Sequence, residues 1–264
     1  MTTQLMGIIN ATPDSFYDGN PQNNLPVLLK KCADYLADGA DILDIGGEST
    51  RPNATPVSAA EETARVLPLV AAAHKKWPQV PLSLDTTKPE VAEAGLKNGV
   101  SIINDVSGRT DQAMFSLVRD FNAQLVLMHA RGTPQTMQTL TDYDDLIGEI
   151  TDFLAQKIAQ ARTYGIPAEH IIMDVGFGFA KTREQNYTLL KNLAHFKQLG
   201  VRMLVGLSRK TFLAQKRELP PKRKAQTLAA NFVALQNGAD ILRVHDVRDT
   251  RKIMDFFTEL EAAK

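Results

Sequence analysis

Asp85, Asn104, Asp174 and Lys210 each follow a short apolar run, and their side chains are chemically complementary. An ionised carboxylate only accepts hydrogen bonds, an amide both donates and accepts, and a lysine only donates. Such a set suits a flat heterocycle with an amino/NH edge and a carbonyl edge. The two carboxylates also suit a metal site or an acid/base pair. One Asp at a strand end is as readily a helix cap or a loop brace; four complementary groups at one face point to a ligand. Arg51, Arg243 and His245 form a second group, with Asn10 nearby by topology. Arginine offers a planar fork of donors that matches phosphate. Two arginines at one mouth therefore suggest an anion, plausibly phosphate or pyrophosphate, whereas a lone Arg is more often a surface ion pair. Arg243 reads as facing solvent at its strand end, and His245 either joins the anion site or braces Asp246.

Weaker signals surround these groups. In Gly176-Phe177-Gly178-Phe179 the glycines permit close backbone approach or positive φ; Phe179 could stack on an aromatic ligand while Phe177 packs. Met128 and His129 divide between pocket floor and barrel core. No His/Cys/Asp cluster has zinc spacing, and no P-loop or G-x-S-x-G elbow occurs. Ser208 has no base near it in sequence, which argues against a serine nucleophile. His74 and His195 read as surface residues, and Lys216–Lys224 as a solvated loop and helix start.

The elements that must position these groups are eight apolar runs, each ending in a polar cluster: Leu5–Ile9, Ile42–Leu43, Leu82–Leu84, Ile102–Ile103, Leu125–Met128, Ile171–Met173, Met203–Val205 and Ile241–Leu242. Between them lie segments of helical periodicity at about 25–38, 58–76, 88–98, 111–121, 143–164, 184–199, 223–237 and 248–262. Ser58 with Glu61, and Thr87 with Pro89 and Glu90, read as helix starts. Gly39, Gly99, Gly165, Gly200 and Gly238 stand where left-handed caps are wanted. Helices alternating with short β-rich runs indicate a parallel sheet. Eight such units predict one (β/α)8 barrel domain over 1–264, with long loops after strands one and two. In that fold all strand C-termini meet at one mouth, where the active site is built.

Composition agrees. The chain has 264 residues, near the roughly 250 of one such barrel. Lys+Arg and Asp+Glu are both 30, so charge gives no case for nucleic acid or an anionic membrane. No stretch is long and apolar enough for a membrane span, and no signal-peptide pattern opens the chain. The single cysteine, Cys32, forms no intrachain disulfide and reads as helix core, which favours the cytosol.

Taken together, the motifs resemble the dihydropteroate synthase family. The matching segments are MGIINATPDSF at 6–16, DIGGESTRP at 44–52, SLDT at 83–86, INDVSG at 103–108, LMH at 127–129, DVGFGFAKT at 174–182, SRK at 208–210 and RVHDV at 243–247. The resemblance implies a transferase that joins p-aminobenzoate to 6-hydroxymethyl-7,8-dihydropterin diphosphate and releases pyrophosphate. It implies a pterin pocket of Asp85, Asn104, Met128, Asp174, Gly206, Lys210 and Arg243. A p-aminobenzoate slot would use Phe16, Thr50, Arg51, Pro52, Phe179, Lys210 and Thr211. The diphosphate would meet Asn10, Arg51, Arg243 and His245, with Mg2+ at Asn10. Asp85, Lys210, Arg243, His245 and Asp14 would serve the chemistry, Asp14 from a first loop that closes near the attacking amine.

The same resemblance implies a homodimer formed through helices near the C-terminus. Leu228, Phe232 and Leu235 could form that stripe; they fit a core-facing helix equally well, and core is the favoured reading. The chain departs from the family pattern at Val175, Ala180, Asn53, Arg131 and Pro221-Lys222-Arg223. Two other readings compete: a pterin-dependent methyltransferase domain, which would not need Thr50-Arg51-Pro52 or Ser208-Arg209-Lys210, and a catalytically silent pterin-binding paralogue, which predicts lost anion-site groups.

Overall fold

In the computed structural model, which describes residues 3–12, 25–49, 54–214 and 219–263, eight parallel strands close into a barrel in chain order. The strands are β1 (Gln4–Asn10), β2 (Ile42–Gly46), β3 (Leu82–Asp85), β4 (Ile102–Asp105), β5 (Gln124–Met128), β6 (Ile171–Asp174), β7 (Arg202–Val205) and β8 (Ile241–Val244). The helices are α1 (Leu25–Ala37), α2 (Ala59–Lys76), α3 (Pro89–Lys97), α4 (Gln112–Asp120), α5 (Leu146–Thr163), α6 (Arg183–Lys191), α7 (Lys224–Gln236) and α8 (Val247–Ala262). The expected (β/α)8 architecture is the observed one.

Strand side chains alternate between two faces, and here each face has its own core. Outward residues such as Leu43, Leu84, Ile103, Leu127, Met173 and Val205 pack under the helices. Inward, Met6, Ile42, Ile102, Val126, Ile172, Leu204 and Ile241 form a separate apolar plug. Burying each of these plug side chains stabilises the fold by roughly 1.5–3 kcal/mol. Two residues further along the same strands, on the same inward face, stand Asp44, Asn104, Met128, Asp174, Gly206 and Arg243. The polar layer thus rests on the apolar plug, and the period of two aims it into the mouth.

The helix starts follow side-chain chemistry. Ser58 Oγ accepts the Glu61 N–H (3.1 Å), Asp111 that of Met114 (3.0 Å) and Asp145 that of Gly148 (3.1 Å). Thr182 and Gln185 form a reciprocal capping box at α6. Three local expectations change. The α3 cap is Lys88, not Thr87, and makes no side-chain cap bond; Pro89 fixes the first turn, and the Lys88 ammonium is drawn instead to Glu48 and Glu62. The expected helix 184–199 ends at Lys191 and continues as a 3-10 turn over Leu193–Leu199. The α5 helix begins after the Asp145 cap rather than at 143. All five cap glycines have positive φ, from 71° to 99°.

Candidate active site

Arg243, inward on β8, crosses the barrel to two carboxylates. Its Nε donates to Asp44 Oδ2 (2.7 Å) and its Nη2 to Asp85 Oδ2 (2.6 Å). Ser83 Oγ donates to the other Asp44 oxygen (2.6 Å), so Asp44 is fully enclosed and paired. Arg243 keeps 20% of its side-chain exposure, which corrects its reading as a solvent-facing strand end. Burial opposes its charge, but the Asp44 and Asp85 carboxylates outweigh that and raise its pKa. Burial also pushes Asp85 up to about 7, against the lowering influence of Arg243.

Asn104 lies beside Asp85 in the β3–β4 register. It is 1% exposed, and neither its Oδ1 nor its Nδ2 has a hydrogen-bond partner. Buried amides are normally satisfied because an unmade bond costs about 1–3 kcal/mol. A donor and an acceptor held unpaired in a polar layer are what a complementary heterocycle would complete. Across the mouth, Asp174 accepts the Gly176 N–H through Oδ1 (2.7 Å), and burial raises its pKa. Met128 is 2% exposed and floors the site. At Gly206 a Cβ would meet no atom within 4 Å, so the β7 end leaves open space.

Lys210 follows four residues later and reaches the 176–179 turn. Its Nζ donates to the Phe177 carbonyl (2.5 Å) and lies 4.3 Å from the Phe179 ring centroid. Burial lowers its pKa to about 8, although the Asp174 charge works the other way. Phe177 is buried and stacks at 6.1 Å on Phe212, as expected of a packing residue, while Phe179 stays half-exposed. Thr211 is exposed and opens the 3-10 turn Thr211–Leu213.

Asn10 and His245 stand nearer the rim, two positions beyond the inward Ile8 and Arg243. His245 does not brace Asp246, whose carboxylate instead takes two bonds from Arg209 (3.0 and 2.7 Å). The imidazole meets Ser208 Oγ at 2.9 Å through Nδ1, and the same hydroxyl accepts the His245 N–H (3.1 Å). Burial, reinforced by Arg209 and Arg243, lowers the His245 pKa to about 3. At neutral pH the His245 ring is therefore neutral. Gly7 lets the Tyr35 ring approach β1, since a Cβ there would stand 2.6 Å from it; Tyr35 then donates to the His245 carbonyl (2.8 Å).

Asp85, Asn104, Met128, Asp174, Gly206, Lys210, Arg243 and His245 are thus brought to one mouth. Asp14, Phe16, Thr50, Arg51 and Pro52 lie outside the described residues. Among the described residues, no three His, Cys, Asp or Glu side chains are grouped to hold a metal ion. Sequence reasoning overlooked Asp44 as a partner of Arg243 and Ser83 as a partner of Asp44, the Ser208–His245 contact, and the Lys88 clamp on Glu48 and Glu62. Of the departures, Asn53 lies outside the described residues and Val175 is fully buried in the outer core. Ala180 adopts φ 50°; Arg131 binds the Asp142 carbonyl (2.6 Å) and lies 3.8 Å over the Tyr143 ring; Arg223 donates to the Arg209 carbonyl (2.9 Å).

The chain is similar to known proteins along nearly its whole length. A family model described as pterin binding enzyme matches residues 6–245. A dihydropteroate synthase from Synechocystis is 46% identical over 254 residues, covering 95% of this chain and 88% of that protein. The structure of Xanthomonas albilineans dihydropteroate synthase with 4-aminobenzoic acid superposes with a TM-score of 0.92 at 39% identity, covering 100% of this chain and 94% of that one. The Yersinia pestis enzyme in a sulfonamide drug complex gives 0.93 at 37% identity, covering 99% and 95%. With similarity of this extent along nearly its whole length, the chain belongs to the dihydropteroate synthase family of pterin-binding enzymes.

Proposed function

We propose that this chain, as a single barrel domain over 1–264, condenses 6-hydroxymethyl-7,8-dihydropterin diphosphate with p-aminobenzoate to give 7,8-dihydropteroate and pyrophosphate. The observation that carries the proposal is Asn104, whose unpaired amide lies level with Asp85 in a layer that also holds Asp174, Lys210 and Arg243. A pterin supplies both acceptors and donors at its edges and would complete these bonds. Phe179 and Lys210, with Thr211 at the rim, offer a ring face and a cation for an aminobenzoate carboxylate. Asp14, Phe16, Thr50, Arg51 and Pro52 join this reading through the family resemblance alone.

The reaction proceeds by dissociation. The methylene C–O bond breaks, pyrophosphate leaves with the bonding pair, and a cation delocalised over the pterin remains. Asp85, against that ring, offsets the positive charge. Arg243 and the neutral His245 ring stabilise the leaving group from β8 and its following loop. The aniline nitrogen then forms the new C–N bond and loses its proton; already nucleophilic, it needs no strong base. The donor set also suits Mg2+, which prefers a few hard oxygens with water and phosphate. The Asn10 side-chain oxygen would hold it, and when bound it would neutralise diphosphate charge.

A homodimer and a cytosolic location complete the proposal. On α7 Leu235 is buried, whereas Leu228 and Phe232 are only partly so. Phe232 packs on Phe256 and Phe257 of α8, and Phe256 and Leu260 remain 57% and 47% exposed, an apolar face suited to a second copy. No described helix is long and apolar enough to cross a membrane. The test is to supply pterin diphosphate and Mg2+ with p-aminobenzoate and follow both products. Equal amounts of pyrophosphate and dihydropteroate are expected; pterin binding without either product would refute the proposal.

A further inference from the structure

Lys181 is 4% exposed and none of its bonds goes to a carboxylate. Its Nζ donates to the Gly176 carbonyl (3.0 Å) and the Phe179 carbonyl (2.9 Å) and meets His129 Nδ1 (2.9 Å). Burial lowers the pKa of this amine well below its usual value, and all three of its partners are neutral groups. Burying such a group unpaired is costly, so the turn must keep these carbonyls facing inward. The turn has no slack of its own. Gly176 adopts φ 71°, and a Cβ there would lie 1.9 Å from the His129 carbonyl oxygen. The His129 ring that meets Lys181 is itself wedged edge-on against Phe153 at 4.9 Å. From the far side, the Tyr143 hydroxyl donates to the Ala180 carbonyl (2.9 Å).

Two ligand-facing features hang from this turn: the Phe177 carbonyl that seats Lys210, and the Phe179 ring beneath the Lys210 ammonium. Of the pterin-facing groups, Asp85, Asn104 and Arg243 are anchored on other strands, while Asp174 and Lys210 touch the turn through the Gly176 N–H and the Phe177 carbonyl. We infer that Lys181 is a positioning residue for the p-aminobenzoate half of the site, acting through the Gly176 and Phe179 carbonyls rather than by touching substrate. The inference rests on the synthase reading.

The test is steady-state kinetics of wild type, Lys181→Met and Tyr143→Phe, with folding checked by circular dichroism. Displacing a binding group by about an ångström costs up to about a hundredfold. Lys181→Met is expected to raise KM for p-aminobenzoate by about ten- to a hundredfold, and KM for the pterin diphosphate, which feels the turn only through Asp174 and Lys210, by a distinctly smaller factor. Tyr143→Phe, which loses one bond at the turn, shifts the same KM by about threefold; it carries the test if Lys181→Met does not fold. Folded variants with an unchanged KM for p-aminobenzoate, or with both KM values raised equally, overturn the inference. A wild type that makes no dihydropteroate overturns the synthase reading itself.

Discussion

Replacing Arg243 by Met removes one guanidinium and strands two carboxylates. Asp44 has no exposure and Asp85 has 10%, so neither recovers hydration when its partner goes. Breaking a buried ion pair by deleting one member costs about 3–5 kcal/mol. In a domain of this size 1 kcal/mol moves Tm by about 2–4 °C, so Arg243→Met is expected to melt about 6–20 °C lower at pH 8. The deficit depends on pH in a definite direction. Burial raises the folded-state pKa of Asp85 from 3.8 to about 7, so the stability linked to its protonated form is complete below about pH 4 and is lost as pH rises through 7. Arg243 restrains that rise, and without it the carboxyl goes higher. The Tm difference between wild type and variant should therefore be small near pH 5 and widen toward pH 8. Adding Asp44→Asn, which removes one stranded charge, should restore part of the loss. Differential scanning calorimetry across pH 5–8 reads all three proteins. A drop of less than about 2 °C at pH 8, or the same drop at every pH, would show that Arg243 is not the clamp on these carboxylates.

Other consequences are as direct. Asn104→Leu keeps the branching at Cγ and removes two unpaired buried atoms; the empty protein should gain about 1 kcal/mol while affinity for 6-hydroxymethylpterin falls about ten- to a hundredfold. Calorimetry measures both, and unchanged affinity would count against the pterin layer. Cys32 is fully buried, and burial raises its thiol pKa to about 11. Iodoacetamide at pH 8 should label it only after denaturation, and rapid labelling of folded protein would contradict its core placement. A sulfonamide should inhibit in competition with p-aminobenzoate at the Phe179–Lys210 ring and cation; inhibition indifferent to added p-aminobenzoate would contradict that slot.

Much of the site was legible because a β-strand repeats every two residues. Ile102 buried inward implies Asn104 inward, and Ile172 and Ile241 do the same for Asp174 and Arg243. What the chain does not spell out is which inward groups pair. Asp44 meets Arg243 across 199 residues, Ser208 meets His245 across 37 and Lys181 meets His129 across 52. None of these pairs leaves a local pattern: the Asp44–Arg243 pair needs the barrel to close, and the other two need β7 beside β8 and β5 beside β6. This is also why Arg243 was misread as solvent-facing: a strand-end Arg looks the same in sequence whether or not two carboxylates wait opposite. The split of the helix at Asn192 is a local effect, an Asn cap followed by a tighter turn that ends at Gly200 with φ 71°.

The central claim is that the inward layer of Asp85, Asn104, Asp174, Lys210 and Arg243 holds the pterin ring. A crystal structure of this protein with 6-hydroxymethylpterin diphosphate tests it most directly. The account predicts the bicyclic ring seated over Met128, with both amide atoms of Asn104 hydrogen-bonded to it and the diphosphate toward His245 and Asn10. A pterin bound elsewhere, or an Asn104 amide still unpaired with the ring in place, would contradict it.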